Sequence, residues 1–324
     1  MKSEASHPPV PTSVDFVVYG KIIIDDIRLK SGEIARGVLG GGGPQGAFGV
    51  RLWADRVGFM SRSGTDIEPR FVEDLQKLDV DLSGYVQYER IRTPRSSMFY
   101  DENEYLDQSR RKGPVMVVTR EEFLDLLYQR LTLPGHFRTP RAVHLITEFA
   151  NEPMVLDALE LRAEGAVFSL EPIIDFRTWS NKDDMGDLFP SCDIATPDWP
   201  AASGWAKSDD PLTVMKFWSK LGARMVSVRH GEHGSYAWDR DHDRIYHILP
   251  TPVDVVDVTG AGNSYGGGLC YGWVETGDAL QAACHGAVSA RFLVGRVGLP
   301  EMEPSLREQA KRLYEQTLES AREL

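Results

Sequence analysis

Short apolar, β-branched runs separated by stretches of helical period constrain this chain more than any other feature. VDFVVYGKIII (14–24) is one such run, broken by Gly20. Similar runs recur at VGFM (57–60), AVHLIT (142–147), GAVFSLE (165–171), CDIAT (192–196) and RMVSVR (224–229). Continuous apolar runs of this length suit strands buried on both faces of a parallel sheet. Between them lie IEPRFVEDLQKL, EEFLDLLYQRL, EPMVLDALELRAE and DPLTVMKFWSKLG, each with an amphipathic helical pattern. Strands alternating with helices over short links predict an α/β fold, a doubly wound and mainly parallel sheet with helices on both faces. With 324 residues, 42% of them hydrophobic, the chain can bury one large core. The expected organisation is a flexible tail over residues 1–12 and one α/β domain over 13–324.

One segment departs from that rhythm. Residues 84–112, GYVQYERIRTPRSSMFYDENEYLDQSRRK, are aromatic, alternating and charged, without a helical period. They read either as strands of a small β lid over the sheet or as a surface hairpin. The formal net charge of -12 argues against nucleic acid or an anionic membrane as partner, because both call for clustered Lys and Arg. No run approaches the roughly 18 apolar residues of a membrane span, and the first residues lack the apolar core of a signal peptide. Three cysteines, Cys192, Cys270 and Cys284, with no CxxC pair, fit a reducing compartment, so a cytoplasmic location is expected.

The richest stretch for chemistry is DVTGAGNSYGGG (257–268). Glycines at 260 and 262 allow a tight turn that exposes successive N–H groups, and a helix beginning there directs its positive end into the turn. An anion belongs in such a place. The glycines that follow, 266–268, make a poor helix on propensity alone and call for close packing against a neighbouring helix or a nucleotide.

These blocks, taken in order, resemble the ribokinase-like, or PfkB, carbohydrate kinases over about residues 14–300. VVDVTGAGNSYGGG is similar to the family's C-terminal DTxGAGD signature, and LGGGGPQGAFGVRLWADRVGFMSRSGTD (39–66) to its N-terminal glycine-rich signature. YGKIIID (19–25) resembles the opening strand that ends on a sugar-binding Asp. EPIIDFRTW (171–179) resembles a DPNxRxxLW strand end, DIATPDWP (193–200) a DxxxPNxxE segment, and VSVRHGEHGSYAW (226–238) a strand and turn bordering the nucleotide. The resemblance implies phosphoryl transfer from ATP to a hydroxyl of a small sugar-like or nucleoside-like substrate. Mg2+ would ride on the ATP phosphates, and a monovalent cation could sit near Asp257.

It also implies roles. Gly260, Ala261 and Gly262 would form the anion hole, with position 263 at the place of the catalytic base. Asp25, Gly41, Gly42, Gln45 and Arg95 would line the substrate site. Asp198, Arg229, Gly231, Gly234 and Thr259 would border the nucleotide. A lid of exposed strands would suit a homodimer formed by pairing lids.

Four positions, in three motifs, depart from the family pattern. Asn263 stands where the family has a proton-accepting Asp, Gln45 (or Gly46 in a register shifted by one) where it has a sugar-contacting Asn, and Asp198 with Ala201 where it has the Asn and Glu of PNxxE. An amide can orient a hydroxyl but is no proton acceptor. Two readings follow: a kinase with an altered catalytic centre, and a protein of the same fold that binds nucleotide or sugar with little chemistry. His230 and His233 read as a solvated turn, since a His-x-x-His pair needs a third ligand to hold a metal. Trp199 and Trp238 read as packing residues, with an adenine stack as the alternative. Arg90, Arg92 and Arg95 suit either an anionic substrate or a charged edge.

Overall fold

The computed structural model describes residues 13–100, 118–174 and 181–324. The expected tail, the later part of the 84–112 segment and most of the block ending at Trp179 lie outside the described residues.

The apolar run 14–24 divides at Gly20. Its first part is β1 (Phe16–Tyr19), buried throughout; its second is the start of β2 (Ile23–Arg28), which leaves that sheet and pairs antiparallel with β3 (Ile34–Gly40). The division has a steric cause: a Cβ at position 20 would lie 2.4 Å from Gly43 Cα. Only glycine lets the chain pass so close to α1 (Gly43–Arg51). The chain then runs through β4 (Val57–Gly64), α2 (Pro69–Gln76), β5 (Asp81–Tyr88), β6 (Arg95–Met98), α3 (Arg120–Leu127), β7 (Ala142–Thr147), α4 (Pro153–Ala163) and β8 (Val167–Pro172). It continues with α5 (Lys182–Leu188), β9 (Ile194–Ala195), α6 (Trp199–Ala206), α7 (Pro211–Trp218), β10 (Met225–Arg229), β11 (Ser235–Asp239) and β12 (Ile245–Ile248). The last elements are α8 (Ala261–Thr276), α9 (Ala279–Val294), α10 (Pro304–Ser320) and β13 (Arg322–Glu323).

The large sheet has the order β13-β12-β11-β10-β9-β8-β7-β1-β4-β5. From β10 to β5 every pairing is parallel, and β11 to β13 extend it antiparallel. Side chains alternate across it as the period-2 pattern requires. Val17 and Tyr19 enter the core under α4, α6 and α7; Phe16 and Val18 enter the opposite core with Phe48 of α1 and Val288 of α9. Burying each such side chain contributes about 1.5–3 kcal/mol.

The small sheet has the order β3-β2-β6. Its composition differs from the sequence expectation. Two strands come from residues 23–40, and of the described residues of the 84–112 segment only the β6 part enters it. β5 instead completes the edge of the large sheet beside β4, where its alternating pattern leaves one face open to solvent.

The glycine run in α8 serves helix packing. A Cβ at Gly267 would fall 2.2 Å from Gly46 O, and one at Gly49 would fall 2.1 Å from Ser264 O, so α1 and α8 touch backbone to backbone. Gly267→Ala is therefore expected to cost about 3 kcal/mol, the upper end of ordinary overpacking, measured by urea unfolding.

Candidate active site

The C-terminal ends of the parallel strands, the first turns of α1 and α8, and the small sheet converge on one cleft, where open α/β sheets hold their ligands. Gly260 is the N-cap of α8 with φ 78°, and no side chain caps that helix. The Ala261 N–H donates to Val258 O at 3.2 Å, while those of Gly262 and Asn263 retain donor capacity for an anion. A Cβ on Gly260 would lie 2.3 Å from Gln45 Cγ, and one on Gly262 would lie 2.5 Å from an Arg229 guanidinium nitrogen. The turn therefore rests on Gln45 on one side and a cation on the other. A phosphate group fits such a cradle: backbone donors, a helix N-terminus and one arginine.

Asn263 sits in the first turn of α8, against Gly42: a Cβ at Gly42 (φ 86°) would lie 2.9 Å from Asn263 Nδ2. The anion turn and the glycine pair Gly41–Gly42 thus meet at this amide. Asn263 Nδ2 donates to Glu171 Oε1 at 2.8 Å. Glu171, at the end of β8, also accepts from Arg229, at the end of β10, and its other oxygen lies 3.7 Å from His144 Nε2 of β7. Burial alone would raise the Glu171 pKa, but Arg229 and His144 outweigh it and hold the carboxyl below its ordinary value.

Asp25 of β2 is buried, accepts from Ser96 Oγ of β6 and lies tightly against Gly40. Burial pushes its pKa up to about 7; Ser96 opposes that shift, while Asp257 and Asp26 add to it. Asp257 accepts from the Thr259 N–H at 2.9 Å, and burial raises its pKa. Tyr100, just beyond β6, bonds to Thr259 Oγ1 through its hydroxyl at 2.7 Å, joining the small-sheet side to the anion turn.

The other expected residues are distributed as follows. Gln45 is buried and donates to Leu39 O at 2.8 Å, while its Oε1 has no partner among the described residues. Arg95 spends its charge on Glu68 at 2.6 Å, Arg92 pairs with Glu122, and both guanidinium groups are partly open to solvent. Asp198 is open to solvent and caps α6 by accepting from the Ala201 N–H at 2.9 Å. Crowding by protein raises its pKa, an effect that Arg229 opposes. Gly231 begins the short turn after β10, and Gly234 (φ 85°) permits close approach to Ile248 of β12. His230 stacks on Trp199 at 3.7 Å, so that face of the indole is already covered. Trp238 is buried and bonds to Asp243. Among the described residues no cluster of three His, Cys, Asp or Glu could hold a metal ion.

Sequence reasoning did not single out a charged cluster on the floor of the cleft. Lys21 pairs with Glu148, and both are buried. Glu152 lies 3.7 Å from Arg62 and accepts from Thr147; its pKa rises to about 7 through burial and the neighbouring Glu148, against Lys21, Thr147 and Arg62. The signal was present: YGK, LITE and MSR place a charge directly after or within an apolar strand run, at strand ends where ligands gather. Glu148→Gln would leave the Lys21 ammonium buried without its counter-charge. The expected loss is about 3–5 kcal/mol in denaturant unfolding.

A family model described as pfkB family carbohydrate kinase matches residues 14–306. The chain belongs to that family. It is 25% identical over 325 aligned positions to a 5-dehydro-2-deoxygluconokinase of Clostridium botulinum, covering 91% of each chain. It is 23% identical over 262 positions to a cytidine kinase of Thermococcus kodakarensis, covering 80% of this chain and 88% of that one. Among solved structures, a ribokinase II from E. coli in complex with ATP and Mg2+ superposes with a TM-score of 0.71 at 17% identity, covering 94% of this chain and 99% of that one. That likeness bears out the ribokinase-like fold, including the small sheet set on a large, mostly parallel one. Among the described residues, no helix is long and apolar enough to cross a membrane.

Proposed function

We propose that the protein transfers the γ-phosphoryl group of ATP to a hydroxyl of a small sugar-like or nucleoside-like substrate, through a catalytic centre in which an amide replaces the usual carboxylate. The observation that carries this reading is the uncapped α8 turn set over Arg229. A fold kept only as a scaffold has no need of a backbone shaped and charged for phosphate. Relatives named 5-dehydro-2-deoxygluconokinase and cytidine kinase point to a hydroxylated substrate of sugar or nucleoside size.

In this reading Gly262 and Asn263 present N–H groups to the transferred phosphoryl group, joined by Ala261 once its N–H leaves Val258 O, and Arg229 offsets its charge. Asp25 accepts hydrogen bonds from substrate hydroxyls, Gly41 and Gly42 let the substrate approach the backbone, and Asn263 orients the attacking hydroxyl. Mg2+, when bound with ATP, neutralises phosphate charge. Most of the catalytic effect is positioning and electrostatic stabilisation, as phosphoryl transfer through a loose transition state requires. Three further parts belong to the proposal: a monovalent cation near Asp257, whose carboxylate already serves Thr259; a dimer through the small sheet; and a cytoplasmic location, consistent with the three buried, unpaired cysteines.

A second reading, a nucleotide- or sugar-binding protein with little chemistry, is favoured by one observation: position 263 has no carboxylate, and the amide there is tied to a buried Glu. ADP release from ATP and Mg2+, measured against a panel of sugars, sugar acids, polyols and nucleosides, separates the two. The kinase reading expects at least one acceptor to raise ADP release well above the acceptor-free rate. A uniform background across the panel, with ATP bound, supports the second.

A further inference from the structure

The amide at position 263 is held by a specific partner. An ionised carboxylate only accepts hydrogen bonds, so the Asn263 atom facing Glu171 must be Nδ2. The opposite edge of the amide, Oδ1, then makes no hydrogen bond within the described residues and belongs to a half-buried side chain set against Gly42. Glu171 Oε1 is held by Arg229 of β10 and Asn263 of α8, while His144 Nε2 of β7 lies 3.7 Å from Oε2, which has no hydrogen bond among the described residues. His144 is anchored in turn by Ser169 through Nδ1 at 2.9 Å. A Cβ at Gly266 would lie 2.8 Å from Glu171 Oε2, so the carboxylate lies close against the backbone of α8.

We infer that Glu171 is a positioning residue of the phosphotransfer site, which turns Asn263 so that its Oδ1 accepts a hydrogen bond from the attacking hydroxyl. The inference rests on the kinase reading above and adds the reason for the amide. Glu171 places a buried carboxylate 2.8 Å from position 263, and a second carboxylate there would not remain ionised beside it. In the reaction the acceptor oxygen forms its bond to phosphorus as the bond from phosphorus to the bridging oxygen breaks, and that electron pair leaves on ADP. The hydroxyl proton passes to an oxygen of the transferred phosphoryl group and is lost to water afterwards. No protein carboxylate has to take it, which suits a loose transition state.

A double-mutant cycle over Asn263→Asp and Glu171→Gln tests the inference with two readouts. The first is thermal unfolding of the ligand-free protein between pH 5 and pH 9, which needs no substrate. N263D alone is expected to lose stability as pH rises, because folding forces two carboxylates together next to Arg229, His144 and Asp198. E171Q in the N263D background is expected to remove most of that pH dependence. The second readout is turnover with an accepted substrate. N263D is expected to lower kcat at least tenfold at pH 7 with little change in KM for ATP, and the double variant to recover much of it. If N263D shows the wild-type pH profile of stability, or turns over faster than wild type while Glu171 is intact, the inference falls. If no acceptor is ever phosphorylated, the unfolding cycle still decides whether residues 171 and 263 are coupled, so failure of the kinase reading and failure of this inference remain distinct.

Discussion

Asp25→Asn is expected to make the protein more stable and nearly inactive. The folded protein holds the Asp25 proton up to about pH 7 because burial disfavours the carboxylate. The unfolded chain releases it near pH 4. A folded pKa above the unfolded one means that stability from this group is full below about pH 4 and declines as pH rises toward 7, with the whole cost present above that. Removing the charge removes the cost. The expected gain at pH 8 is a few kcal/mol, since each tenfold change in proton affinity is worth about 1.4 kcal/mol, and it disappears near pH 4. Catalysis moves the other way. A carboxylate that accepts substrate hydroxyls on the small-sheet side of the cleft contributes to binding and orientation, and kcat/KM is expected to fall by about 10²- to 10³-fold. Wild-type activity should rise with pH through the region near 7 as Asp25 ionises. Urea unfolding at pH 4 and pH 8, with initial rates across the same range, checks both halves. A residue that costs stability at working pH and yet is required for turnover is held there by function, not by folding.

The second large effect is expected at Gly260→Ala. This residue has φ 78° at the N-cap of α8, where an L side chain costs about 1–2 kcal/mol, and its Cβ would meet Gln45 at 2.3 Å. The local cost is modest for a 324-residue chain. The functional cost is larger, because relief requires α8 to shift relative to Gln45 and so moves the N–H groups off the position a phosphate would occupy. Loss of one well-placed donor of this kind lowers rates by about 10²- to 10³-fold. Thermal unfolding should show the protein folded, with its melting temperature only a few degrees lower. ATP affinity and turnover should both collapse.

Much of this architecture can be read directly from residue order. The parallel strands announce themselves because both of their faces are buried, so AVHLIT and RMVSVR need no polar alternation. GAG followed by a glycine-rich helix announces a close-packed turn for the same local reason. The failures are just as local in cause. The run 14–24 looks like one strand because it is apolar and β-branched on both sides of Gly20–Lys21, and what divides it, the approach of Gly43, is made by residues more than twenty positions later. Residues 84–112 look like one lid because β5 and β6 share an alternating pattern. Only the free edges beside β4 and β2 assign them to different sheets.

The site divides in the same way. Glycines and first-turn donors are readable because their requirement is conformational and lies within a few residues. The meaning of Asn263 is not, because its partner Glu171 is 92 positions away and reads, in sequence, as the polar end of a strand. Lys21, Glu148, Arg62 and Glu152 were hidden likewise: pairing across four different elements turns ordinary strand-end charges into a buried cluster. Arg95 shows the converse, since a cation that looks available in sequence is already matched by Glu68 on α2's N-terminal side.

The most direct test of the central claim follows the phosphoryl group itself. The protein would be incubated with ATP labelled in the γ-phosphate, Mg2+ and the acceptor panel, and the label traced among ATP, inorganic phosphate and organic phosphate esters, with Gly260→Ala in parallel. The account predicts that label appears in the ester of at least one acceptor, in step with ADP, and that Gly260→Ala abolishes this while remaining folded. Label that stays in ATP, or leaves only as inorganic phosphate with every acceptor while ATP is demonstrably bound, would contradict it.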